Sequence, residues 1–159
     1  MLHNLLVAAH AACAVAAFVL GVLVVWPRAT PVAAIFRLYL AALWLMVLFL
    51  IVVVLVDWIG LDLTSRVVFS ALLGLAVYTG WRGWRAAGDL QQRTGDWQSA
   101  CIEDVGFTLI ALLDGFVIVT TIDLGAPIWL VVAIGMLGVL VGRYAIQGLK
   151  QRALVPSPA

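Results

Sequence analysis

Apolar residues fall into five long blocks, 5–25, 38–56, 67–84, 105–122 and 128–144, separated by short polar connections. A helix needs about 20 apolar residues to cross a hydrocarbon layer roughly 30 Å thick. The first, second and fourth blocks meet that length, while the third and fifth lean on Trp81, Trp84 and Tyr144 at their ends. The pattern predicts an all-α integral membrane bundle of five transmembrane helices, over residues 5–25, 32–56, 65–93, 99–122 and 127–150. These make one domain, 1–153, and 154–159, with Pro156 and Pro158, reads as a flexible tail. The first block lacks a basic start and runs into Trp26 and Pro27 instead of a small-residue cleavage site, so a retained helix is expected there.

Helix punctuation sits between the blocks. Thr30 and Pro31 suit an N-cap followed by proline in the first turn, ahead of the second helix. Asp62 or Thr64 is expected to cap the third, Gly95 to end it, Asp96 or Ser99 to start the fourth, and Pro127 to open the fifth.

Charge adds an orientation. Alternate threading gathers Arg28, Arg37, Arg82, Arg85, Arg93, Arg143, Lys150 and Arg152 on one side and leaves Arg66 on the other. Basic residues in short loops stay cytoplasmic, which predicts the N-terminus outside and the C-terminus in the cytoplasm. The cytoplasmic side then carries a net +4, the outer side −2, and Asp114 lies within the fourth span. Trp26, Trp81 and Trp84 on the inner side and Trp58 and Trp129 on the outer suit interfacial belts. Composition agrees: 65% of the residues are hydrophobic and 11% charged, with a mean hydropathy of +1.17, outside the range of a soluble domain. A multi-pass protein of the inner (plasma) membrane is expected. No basic run is long enough to suggest nucleic acid.

Cys13 and Cys101 fall in opposite halves of the bilayer on this map, too far apart for a disulfide, and are expected to be reduced packing residues. The longest polar stretch, 82–104, mixes Arg82, Arg85 and Arg93 with Trp84, Leu90 and Trp97. It is expected to be a helix extension and turn, since no single apolar face runs through it. Gly135, Gly138 and Gly142 give the fifth helix a close-packing face, for contact within the chain or between copies.

The chemistry-bearing candidates are an intramembrane polar pair. His10 lies about 10 Å down the first helix from the outer side, and Asp114 about 12 Å down the fourth. An ionisable group at that depth should face the bundle interior and have a partner. Ala14, Ala17 and Gly21 continue the His10 face, while His3 and Thr121 lie two turns outward from His10 and Asp114. Together they outline a possible outer polar track. His3 and His10 are about 10 Å apart along one helix, too far to share a small metal ion, so no metal site is expected. No cofactor is expected either: bis-histidine haem would need a histidine on another helix. The sequence has no GxSxG, HExxH, P-loop or dinucleotide fingerprint.

The runs PVAAIFRLYLAALW, VYTGWRGWRAAGD and DVGFTLIALLDGFVIV resemble uncharacterised bacterial polytopic membrane proteins grouped as a domain of unknown function. The resemblance covers about two-thirds of the chain and implies a small helical membrane bundle. Members of that family tend to carry histidines near the start of the second helix and in the later inner loop, taken as hints of a redox cofactor. Val32 and Thr94 stand in the corresponding stretches here.

These readings converge on a non-catalytic integral membrane protein, an accessory or scaffolding component of a membrane assembly. Its expected partners are the lipid bilayer and other membrane proteins or a second copy. The second reading is a small transporter or channel subunit using His10 and Asp114; the third is a redox protein binding a cofactor as an oligomer.

Overall fold

A computed structural model describes residues 2–26, 33–92 and 96–154. It contains five helices and, among the described residues, no strand: α1 (Leu2–Val25), α2 (Ala33–Asp57), α3 (Leu63–Gln92), α4 (Trp97–Asp123) and α5 (Ile128–Leu154). All five are long and apolar enough to cross a membrane. Such helices satisfy their backbone hydrogen bonds internally, as a hydrocarbon environment demands. The Thr30–Pro31 start, the Gly95 stop, Val32, Thr94 and, of the expected 154–159 tail, residues 155–159 lie outside the described residues.

α1 packs on α2, α2 on α3, α3 on α4, and α4 back on α1, which closes a four-helix ring. α5 packs on α4 alone and stands outside the ring. Arg37, Arg82, Arg85, Arg143 and Lys150 mark one end of the bundle, here the basic end. His3, Asp57, Asp62 and Arg66 mark the opposite, acidic end.

Small residues let the ring close. Ala17 of α1 is fully buried, and Gly21 one turn on leaves room for Leu109 of α4 and the ring of Tyr39 from α2. Gly83 of α3 accommodates Leu40 and Leu43 of α2, and Gly80 accommodates Trp44. Close approach of this kind gains van der Waals contact where there is little hydrophobic drive between helices in lipid. Tyr39, Leu43, Val47 and Val105 fill the centre.

The helix ends follow local chemistry. Asp62 caps α3, accepting hydrogen bonds from the backbone N–H of Thr64 at 3.2 Å and of Ser65 at 3.3 Å. The Ser65 side chain, then the Ser65 and Thr64 amides, hold the Asp62 carboxyl below the usual carboxylate range. Asp96 precedes α4 without a side-chain cap bond; its carbonyl accepts from Ala100 N–H at 3.1 Å. α4 stops at Gly125, whose φ of 74° is the left-handed conformation that glycine adopts without strain. Pro127 then opens α5, its carbonyl accepting from Leu130 N–H at 2.9 Å. Two boundaries differ from expectation by about a turn, α1 beginning at Leu2 and α5 continuing to Leu154, while α3 and α4 each begin two residues early, at Leu63 and Trp97. In α1 the extra turn carries His3, which pairs with Asp57 of α2.

Candidate functional site

The polar side chains within the bundle act as links between neighbouring helices. His3 Nδ1 lies 2.8 Å from Asp57 Oδ2, joining α1 to α2 at the acidic end. Two turns deeper, His10 Nδ1 is 3.0 Å from the carbonyl oxygen of Met46, also on α2. A carbonyl only accepts, so Nδ1 carries the proton in that bond. Both histidines of α1 are thus directed at α2.

Asp114 faces another way. It is buried, and its carboxyl fills the gap left by Gly138 on α5; a Cβ at Gly138 would collide with Asp114 Oδ1. The same seam places Ile118 at Gly135 and Ile110 at Gly142, while Ile146 of α5 enters the gap at Gly106 of α4. These contacts share one antiparallel register, one helical turn apart. The Gly135, Gly138 and Gly142 face is therefore occupied by α4 of the same chain. Asp114 makes no hydrogen bond or ion pair with a described residue.

The structure does not bring His10 and Asp114 together. Their depths match, but depth along two helices says nothing about rotation about their axes. α1 turns His10 toward α2, and α4 turns Asp114 toward α5. His3 belongs to the Asp57 link, and the Thr121 hydroxyl donates to Val117 O of its own helix at 2.6 Å.

The most strongly interacting site lies at the basic end and was not singled out from the sequence. Asp104 of α4, 1% exposed, accepts from Arg82 Nε at 2.7 Å and lies 2.5 Å from Arg82 Nη2 through the same oxygen. Its second oxygen accepts from Arg85 Nε at 3.2 Å. Arg82 lies over Phe107, 4.6 Å from the ring centroid, and 6.0 Å from that of Tyr78, which meets Phe107 edge-on. Arg85 lies over Trp81 at 5.4 Å. The Thr108 hydroxyl donates to Asp104 O at 3.1 Å. Close by, the Tyr39 hydroxyl is buried beside Thr108 and meets the geometric criteria of a hydrogen bond with none of the described residues. A final link, Lys150 Nζ to Glu103 Oε2 at 2.6 Å, ties α5 to α4.

The signal for this site was present in the sequence. Arg82 and Arg85 are three residues apart, hence on one helical face, with aromatic residues at 78 and 81. The short 93–96 connection makes α3 and α4 antiparallel neighbours, which sets Asp104 level with both arginines. Counting all three only as topology charges concealed that they meet.

Among the described residues no group of three or more His, Cys, Asp or Glu is placed to hold a metal ion. Cys13 and Cys101 are both free, the first half-buried and the second buried. No family model matches the chain, and no curated protein or solved structure does. That outcome is consistent with an uncharacterised family and identifies the chain no further.

Proposed function

We propose that this chain is a non-catalytic integral membrane protein that serves as an accessory or scaffolding component of a membrane assembly. The observation that supports this most is the use of its polar side chains. His3, His10, Arg82, Arg85 and Lys150 are each engaged in a link between two helices. Links of that kind fix helices relative to one another, which is what a scaffold requires. α5 supplies the surface: it is held by α4 alone and exposes Val132, Met136, Leu137, Leu140 and Tyr144. In this reading its outer face receives a helix of another membrane protein.

The basic end faces the cytoplasm of a cell with a plasma membrane, following the distribution of arginine and lysine. Single cysteines at Asp62 should react with an impermeant thiol reagent in intact cells, and one at Asp89 should not; the reverse pattern overturns the orientation. The scaffold role is tested by isolating the chain from its native membrane in lipid-bounded particles. A stoichiometric complex is expected, and a lone chain contradicts it.

A second reading, a transporter or channel subunit, draws on one observation: Asp114 is buried without a hydrogen bond or ion pair to a described residue. Intramembrane carboxylates often mark ion or proton paths. If so, the path follows the α4–α5 seam, and the bonds described above leave His10 out of it. Ion flux into proteoliposomes that falls in Asp114→Asn supports this second reading, and absence of flux from wild type removes it.

A further inference from the structure

At the basic end, the start of α2 and the end of α3 leave a cleft of about 220 Å³. Phe36, Arg37 and Leu40 line one side, and Ala87, Leu90 and Gln91 the other. Pockets that enclose small molecules measure roughly 300–1,000 Å³. This smaller cleft suits a narrow chain lying along the helices. Leu40 and Ala87 are deepest, because α2 enters the bundle from Ala33 and α3 leaves it toward Gln92. The walls are thus apolar at depth, and Arg37 and Gln91 stand about one turn nearer the helix ends than Leu40 and Ala87, level with Phe36 and Leu90.

Arg37 is the one described base that lines the cleft. Arg82 and Arg85 are bound to Asp104, Lys150 to Glu103, and Arg143 acts on Glu103 through its charge. Arg37 makes no hydrogen bond, ion pair or ring contact with a described residue. The acid closest in sequence to the cleft, Asp89 beside Leu90, makes no ion pair with Arg37. A guanidinium without a counter-charge therefore stands at the mouth of an apolar groove.

We propose that this cleft binds an anionic phospholipid, its phosphate on the Arg37 guanidinium and one acyl chain along Phe36, Leu40, Ala87 and Leu90. A planar guanidinium matches a phosphate through paired N–H donors. Basic pockets between spanning helices suit acidic headgroups in the same way. α2 and α3 also share a less extensive contact than α1 and α2 or α3 and α4 do, which leaves space for a lipid chain between them. The proposal rests on the chain spanning a bilayer, which sets the start of α2 at headgroup level. It does not depend on the scaffold role.

The test is lipid retention by the full chain in native mass spectrometry, with phosphatidylglycerol and phosphatidylcholine of identical acyl chains. Wild type should retain phosphatidylglycerol preferentially. Arg37→Gln should reduce that preference about fivefold, the worth of one basic residue at a charged membrane surface. Arg37→Lys should keep part of it, and Arg143→Gln, away from the cleft, should leave it intact. Ala87→Leu, which fills the groove, should lower retention of both lipids. Three results overturn the proposal: equal retention of the two lipids by wild type, equal losses from Arg37→Gln and Arg143→Gln, or full competition by soluble glycerol phosphate. Arg37 is exposed, so its variants should fold; helicity and elution volume check that they do.

Discussion

α4 buries two aspartates ten residues apart, and its two sides treat them differently. Asp104, on the side facing α3, is bound by two guanidinium groups, one of them lying over the ring of Phe107. Asp114, on the side facing α5, has a glycine gap to occupy and no hydrogen-bonding partner among the described residues. Both are nearly inaccessible, 1% and 7% exposed. Burial alone therefore does not reveal a carboxyl's role. The first ties α4 to α3 through charge, and the second joins α4 to the peripheral α5 through shape.

The largest effect should come from disturbing the charged side. Asp104→Ala would leave the Arg82 guanidinium, 14% exposed, without its counter-charge. Removing one partner of a buried ion pair costs about 3–5 kcal/mol, so a large loss of stability is expected in unfolding measured in mixed micelles. A loss under about 1 kcal/mol would mean that the arginines escape to the headgroups by extending their stems.

Next comes the fit between Asp114 and Gly138. Gly138→Ala should destabilise the protein by about 1–3 kcal/mol through overpacking. Shortening the opposing side chain, with Asp114→Ala in the same molecule, should restore much of that loss. Simple additivity of the two changes would break the contrast, because it would place the carboxyl elsewhere than in the Gly138 gap.

A smaller effect separates this arrangement from the coupling of His10 with Asp114 that matching depths suggest. His10→Ala removes the bond to Met46 O, and polar links within membrane bundles average about 0.6 kcal/mol. Combined with Asp114→Ala, the losses should add to within about 0.5 kcal/mol. Clear non-additivity would restore the direct pair and undo the assignment of each residue to its own neighbour.

The smallest effect belongs to Asp62, outside the spans. Its carboxyl is held below the usual range by Ser65 and by the amides of Ser65 and Thr64, so the cap bonds favour the ionised form. A depressed pKa contributes stability that is present above the unfolded value and is lost as pH falls through the folded value. Amide exchange at Thr64 and Ser65 should therefore stay protected at neutral pH. Acidification below the usual aspartate range should release it, and Asp62→Ala should remove this pH dependence.

The long apolar blocks made five helices, each long and apolar enough to cross a membrane, legible in the sequence because length and hydropathy are summed over many residues. Asp62 as a cap and Pro127 in the turn before α5 were legible for the opposite reason: their chemistry is local. Rotation about the helix axes was not. It decides whether His10 meets Asp114 or Met46, and it depends on where glycines allow backbones to approach, as at Gly21 against Tyr39 and Leu109. Asp104 was overlooked because its partners lie on another helix, 19 and 22 residues away. A residue-by-residue depth map places charges in a bilayer but does not say which of them touch.

The central claim, that the fixed bundle presents α5 to another membrane protein, is tested most directly by the size of the native assembly. Particles cut from native membrane should contain the wild-type chain in a stoichiometric complex with a second membrane protein. Met136→Asn and Leu140→Asn, on the exposed face of α5, should dissociate that complex. Leu48→Asn, exposed on α2, should leave it assembled. A chain that is alone in wild-type particles, or a complex indifferent to the α5 changes, would contradict the account.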